Sequence, residues 1–173
     1  MGRTAGAYGP AVTTSVLPMS REERAAALRR TVETYYVGCN TADVELMCST
    51  LTADAVHYFP HGAPQGPFVG GRVIAEGWAA AVERLGSRWT IDRLMIDADA
   101  GDHGEAVIEW THHKTRAGGR LRGVEWCRFV ADGRLAEIRA FYACPPTAPD
   151  GDYRLGGIDY EGRGYPMEPR TPW

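Results

Sequence analysis

Glu125 and His112 are the side chains whose surroundings best suit them for chemistry. Along Leu121-Arg122-Gly123-Val124-Glu125-Trp126-Cys127-Arg128-Phe129, alternate residues of a strand share a face, and Glu125 falls with Leu121, Gly123, Cys127 and Phe129. A carboxyl on such an apolar face is either neutral or paired, because removing a lone charge from water is costly and the group raises its pKa instead. That is how an acid/base working near neutral pH is made. The other reading of Glu125 is a structural ion pair with Arg122, Arg128 or Arg139. The same parity turns His112 inward with Ala106, Ile108 and Trp110, and gives Val107, Glu109, Thr111 and His113 the wetter face. On neighbouring strands His112 and Glu125 can meet as a base and its orienting carboxylate. Alternatively His112 is a core histidine satisfied by a backbone carbonyl.

A second group clusters before a loop. His57, Tyr58 and His61 sit at the expected mouth of a site; His57 and Phe59 share one strand face and Tyr58 takes the other. Tyr58 is the preferred hydrogen-bond donor of the two sets, with His57 and His61 as binding residues. Trp110, Phe59, Phe129 and Tyr142 read either as core or as walls for a flat apolar ligand. His103, in Gly101-Asp102-His103-Gly104, reads as a solvated turn. Adjacent His112 and His113 point to opposite sides of a strand, and Cys39, Cys48, Cys127 and Cys144 lack CxxC spacing, so neither a metal nor a disulfide framework is expected. There is no Gly-rich phosphate loop, Schiff-base context or nucleophile elbow, and no cofactor is expected.

The elements that position these residues follow from periodicity. Residues 1–18 show none and read as a loose arm. Ser20 with Glu23 forms a capping box for a helix whose apolar stripe is Ala25, Leu28, Val32, Tyr35 and Cys39. Asn40-Thr41-Ala42-Asp43 ends it and caps a short second helix to about Leu51. Ala55 to Phe59 leans to strand and stops at Pro60; His61 to Gly71, with two prolines and four glycines, reads as a loop. Val73 to Leu85 returns to helical spacing. Strands over about 89–97, 105–115, 120–130 and 134–143 are separated by Gly-containing turns. Three helices and an antiparallel meander make an α+β plan with one curved sheet wrapping its helices. This domain spans 19–144. The tail, 145–173, carries Tyr153, Leu155, Ile158, Tyr160, Tyr165 and Trp173, too apolar for a solvated linker, and is expected to cover the domain or a partner subunit.

At 173 residues the chain suits one domain. Its net charge of -3, with basic and acidic residues interleaved, offers no electrostatic footprint for nucleic acid. No apolar run approaches a membrane span, and the start lacks a basic segment followed by an apolar one, so a cytoplasmic location is expected.

Two stretches carry a family resemblance. From Tyr35 through Asn40-x-x-Asp43 and Asp54-Ala55 to Pro60-x-Gly62, and again over Glu125 to Phe129, Gly133 and Ile138 to Tyr142, the chain resembles ketosteroid isomerase of the NTF2-like superfamily. The hairpin Asp132 to Glu137 is similar to that of the SnoaL-like polyketide cyclases. The resemblance implies an NTF2-like cone, with three N-terminal helices in the concave face of a curved, mostly antiparallel sheet. It places Tyr35 where the isomerase has its oxyanion-hole tyrosine and Glu125 where it has a carboxylic acid kept protonated by an apolar site. In SnoaL-like cyclases that place holds an acid/base Asp. The isomerase's proton-abstracting Asp is replaced here by Phe59, and Ala140 stands where limonene epoxide hydrolases need an Asp. The implied function is proton transfer on a small, largely apolar carbonyl or phenolic compound: isomerisation, aldol-type cyclisation or dehydration. Glu125, His112, Tyr35 and Tyr58 would be catalytic, in a homodimer. A non-catalytic binding or oligomerisation module of the same fold is the alternative.

Overall fold

The computed structural model describes residues 19–63, 65–142, 156–159 and 161–164. Three helices, α1 (Arg21–Thr41), α2 (Val44–Thr50) and α3 (Gly71–Leu85), accompany six strands: β1 (Leu51–Tyr58), β2 (Phe68–Val69), β3 (Ser87–Asp97), β4 (Glu105–Lys114), β5 (Arg120–Phe129) and β6 (Leu135–Tyr142). The strands form one sheet in the order β2-β1-β6-β5-β4-β3, in which only β1 and β6 run parallel. This is the NTF2-like α+β cone that the resemblance implied, with the helices against the concave face. No helix among the described residues is long and apolar enough to cross a membrane.

Local chemistry sets these boundaries. The Ser20 hydroxyl accepts from the Glu23 backbone N–H, and the Glu23 carboxylate accepts in return from the Ser20 N–H at 2.8 Å, closing the capping box of α1. Ala42 ends that helix in the left-handed region at φ 56°, the one non-glycine described residue to do so. Asp43 then caps α2 through the Leu46 N–H. The second helix is shorter than its sequence suggests, because Leu51 already belongs to β1. The edge strand β2 lies inside the stretch that reads as loop; it is two residues long, held by the pairing Val56↔Val69 and His57↔Phe68, and so has no periodicity to detect.

Asn40 is more than a helix terminator. Its side-chain amide donates to the Trp89 carbonyl at 2.8 Å and its side-chain oxygen accepts from the Trp89 N–H at 2.7 Å, so the end of α1 takes the place of a strand neighbour for β3. The core between helices and sheet includes Leu28, Val32, Met47, Ile74, Ile108 and Ile138, all nearly fully buried. Strand parity holds on β4 and β5 with one exception: Thr111, on the outer face of β4, is buried because its hydroxyl donates to Asp92 at 2.6 Å.

The expected arm, Cys144, and the tail residues Tyr153, Leu155, Tyr160, Tyr165 and Trp173 lie outside the described residues. The described part of the tail contacts its own subunit. The Gly156 N–H donates to the Phe59 carbonyl, and Arg163 donates to Glu137 at 3.0 Å and to the Tyr58 hydroxyl at 3.3 Å.

Gly123 is the residue the concave face depends on for space. A Cβ there would meet the Trp110 ring at 2.5 Å and the Phe141 carbonyl at 2.8 Å. Gly123→Ala is therefore expected to destabilise the protein by about 1–3 kcal/mol through overpacking, measured by urea unfolding, with Gly66→Ala near neutral because open space surrounds that position.

Candidate active site

The concave face of β5 carries Glu125 into the interior, where it is 6% exposed. The Tyr36 hydroxyl donates to Glu125 Oε2 at 3.0 Å, and His57 Nε2 lies 3.6 Å from Oε1. Glu125 pairs in register with Ala140 of β6, and His57 of β1 with Ile138. The methyl side chain of Ala140 keeps that part of the concave face low beside the carboxyl. The arginines weighed as partners stand elsewhere: Arg128 and Arg139 meet Glu137 on the outer face, and Arg122 is exposed on the same side.

Among the described residues no arginine or lysine therefore supports a carboxylate at this position, and burial pushes Glu125 up to about 7 against the opposing effect of the Tyr36 hydrogen bond. Burial acts the other way on His57, which is wholly enclosed, and pushes it down to about 3. Although 3.6 Å suits an ion pair, moving the proton from Glu125 to His57 would create two charges in a dry site, so the pair is neutral with the proton on the carboxyl. Neither His57 nitrogen makes a hydrogen bond among the described residues, and its ring stacks on Phe59 at 4.4 Å.

Glu125 opens onto a cavity of about 590 Å³. Phe59, Phe68, Trp78, Trp89, Trp110 and Tyr142 form its walls. Glu125 is the one acidic side chain among the described residues that line it. The pairings Ile108↔Glu125, Trp110↔Gly123 and His112↔Leu121 order the concave face of β4 and β5 from the carboxyl outward. Trp110 Nε1 is buried without a hydrogen-bond partner among the described residues.

Of the side chains singled out from the sequence, Glu125, His112, Phe59, Trp110 and Tyr142 line this cavity together. His112 does not meet Glu125: four residues separate it from the position opposite Glu125, about 13 Å along the strand. Its Nε2 instead hydrogen-bonds the Ser87 hydroxyl at 2.8 Å, and its ring stacks on Trp89 at 4.5 Å. Tyr35 is buried but turned to Trp78, whose Nε1 donates to its hydroxyl at 2.7 Å; helix geometry brings the next residue, Tyr36, to Glu125. His57 takes the inner face with Phe59, as parity requires, and stands behind the cavity wall against Glu125. Tyr58 is consequently on the outer face, under the Arg163 guanidinium. Phe129 belongs to the core, and His61 does not line the cavity.

Tyr36, which contacts Glu125, and Trp78 and Trp89, which line the cavity, are the positions of this candidate site that the residue pattern failed to bring out. Leu28, Val32 and Tyr36 do recur at intervals of four, the signal that could have found the tyrosine. Trp89 required knowledge of the Asn40 clamp.

The Glu125 carboxyl links stability to pH. Its folded pKa of about 7 exceeds its ordinary 4.5, so between these values the folded protein holds a proton that the unfolded chain releases. This stabilisation is complete below pH 4.5 and lost as pH rises through 7. Relative to Glu125→Gln, wild type is expected to lose on the order of 3 kcal/mol across that window, measured by denaturant unfolding at several pH values.

Comparison with known proteins agrees with this fold. The chain is 48% identical to a cystatin-fold protein of unknown function from Methylobium petroleophilum PM1, with a TM-score of 0.78 over 86% of this chain and 97% of that one. An NTF2-like protein of unknown function from Mesorhizobium loti is 22% identical, with a TM-score of 0.56 over 69% and 93% of the two chains. The epoxide hydrolase/cyclase-like enzyme SalBIII is 15% identical, with a TM-score of 0.56 over 68% and 92%. These two more distant likenesses show the fold. No curated protein matches the sequence. Residues 32–138, which hold Tyr36, His57, Glu125 and most of the cavity, match the SnoaL-like domain model, and the chain belongs to the SnoaL-like domain family.

Proposed function

We propose that the protein is a cofactor-independent proton-transfer enzyme acting on a small, largely apolar carbonyl or phenolic compound, by isomerisation, aldol-type cyclisation or dehydration. The observation that carries this reading is the lone carboxyl of Glu125, held near neutral pKa at the end of an aromatic-walled cavity. A group whose pKa matches the working pH is present in both forms and can take a proton and return it. The Glu125 carboxylate removes a proton from the carbon next to a carbonyl, and the C–H electron pair moves into the enolate. The protonated Glu125 then delivers its proton to another carbon, or to a leaving hydroxyl that departs as water. Tyr36 and His57 are positioning residues, which hold the carboxyl and keep its surroundings dry.

This assignment makes the Phe59 substitution intelligible. With an aromatic ring in the place of the isomerase base, Glu125 serves as both acid and base. SalBIII is named for a role in pyran ring formation in salinomycin, so the cone also supports ring-closing chemistry, and a place in natural-product biosynthesis is consistent with this. The buried free thiols of Cys39 and Cys127 suit the reducing cytosol.

The test is exchange of the acidic carbon-bound protons of β-tetralone in deuterated water, followed by NMR. Wild type should accelerate exchange, with a rate that rises to a plateau around a midpoint near 7, because the carboxylate is the active form. Glu125→Gln should reduce the acceleration by about 10²–10⁴-fold. No acceleration with a panel of aryl ketones would leave a non-catalytic binding module as the better description.

The partner we propose is a second copy of the chain. On the outer face of the sheet, Met95, Val124, Trp126 and Phe141 are 70%, 37%, 40% and 45% exposed, and the registers Met95↔Val107, Val107↔Trp126 and Val124↔Phe141 make them a continuous apolar strip across four strands. A homodimer would cover it. Phe141→Glu is expected to shift sedimentation velocity from dimer to monomer; an unchanged coefficient would show that this strip is not the interface.

A further inference from the structure

The mouth of the cavity is chemically unlike its floor. On β4, Trp110, His112 and Lys114 share the concave face, and all three line the cavity. On α3, Trp78, Ala81, Arg84 and Leu85 form the facing side of the helix and line it too. The ends of these two elements are tied together: the Thr115 N–H donates to the Gly86 carbonyl at 3.1 Å and the Arg116 N–H to the Leu85 carbonyl at 3.0 Å. Arg84 and Lys114 are therefore brought to the same end of the cavity. Lys114 lies six residues from Ile108, the position opposite Glu125, which is about 20 Å along the strand.

Neither cation has an acidic partner among the described residues. Glu83, next to Arg84, is not among the residues that line the cavity; it lines an adjoining groove on the outer side of α3, to which Arg84, Gln65, Phe68 and Gly77 also belong, and it makes no ion pair with Arg84 among the described residues. His112, the other titratable group at this end, has one nitrogen committed to Ser87, and burial, with Lys114 and His113 nearby, pushes it down to about 4. It adds a neutral polar group and no charge. Solvated lysines and arginines are common, and Arg84 in the last turn of α3 also complements the helix dipole. The present pair differs in having both cations at the rim of an aromatic-walled chamber, with the chamber's only described acid at the far end.

We infer that the cavity recognises an aromatic acid, an apolar fused-ring body along the walls with a carboxylate held at the mouth by Arg84 and Lys114. Arg84 supplies a planar fork that matches a carboxylate and Lys114 a point charge. For orientation, this inference rests on the proposed function: anchoring the anion at the mouth directs the opposite, uncharged end of the molecule to Glu125 and keeps the negative group away from a carboxyl that must ionise.

The test is a binding measurement that needs no turnover. Isothermal titration calorimetry would compare β-naphthoate with its uncharged analogue β-naphthamide on wild type, on Glu125→Gln, and on the double variant Arg84→Met/Lys114→Met. The acid is expected to bind about tenfold more tightly than the amide to wild type and to Glu125→Gln, and about equally with it to the double variant, whose amide binding is unchanged. Equal binding of acid and amide to wild type, a preference that survives in the double variant, or no binding of either compound would overturn the inference. Because Glu125→Gln is included, a failure of the catalytic reading appears in the exchange assay and leaves this binding result standing.

Discussion

A carboxyl group placed on the inner face of a curved sheet, with no arginine or lysine among the described residues within reach, sets the terms for everything around it. Desolvation favours its protonated form, and the neighbours that surround it are those a neutral acid tolerates: a phenol, a neutral imidazole, small side chains and aromatic rings. His57 illustrates the reciprocity. It would be a competent base in water, but full enclosure removes its charge, so the one proton of the pair stays on Glu125. A basic residue in its place would have given a structural ion pair and a depressed carboxyl.

Space is the second requirement, and it is supplied by residues that lack side-chain bulk. Gly123 lets the Trp110 ring lie over β5, and Ala140 leaves the floor open beside Glu125. Gly77 plays the same part on α3, where a Cβ would meet the Phe68 ring at 2.5 Å. Large aromatics can line the chamber without filling it because these three positions, on β5, β6 and α3, are nearly empty.

Much of this was legible in the sequence, for reasons that also explain what was not. Strand parity alone turned Glu125, Trp110 and His112 inward and paired His57 with Phe59, because side-chain direction alternates whatever the tertiary context. Turn glycines and the capping box delimited most elements to within a few residues. Contacts between distant segments were beyond that reasoning. Whether His112 or His57 stands near Glu125 depends on register across β4, β5, β6 and β1, and the parallel pairing of β1 with β6 leaves no mark in a local pattern. Tyr35 and Tyr36 differ by one helical step of about 100°, and the resemblance to ketosteroid isomerase favoured the first while packing brought the second to the carboxyl.

That parallel pairing has a kinetic consequence. Leu51 meets Leu135 and Tyr58 meets Arg139 across close to half the chain, so β1 can join the sheet only after a large loop has closed. His57 arrives with β1, and with it one of the walls that separate Glu125 from water. The meander of β3 to β6 can form from local contacts while the carboxyl is still hydrated and ordinary in its acidity. The raised pKa of Glu125 therefore depends on a non-local pairing: until β1 has joined β6, the carboxyl lacks the His57 wall and has no reason to hold its proton at neutral pH.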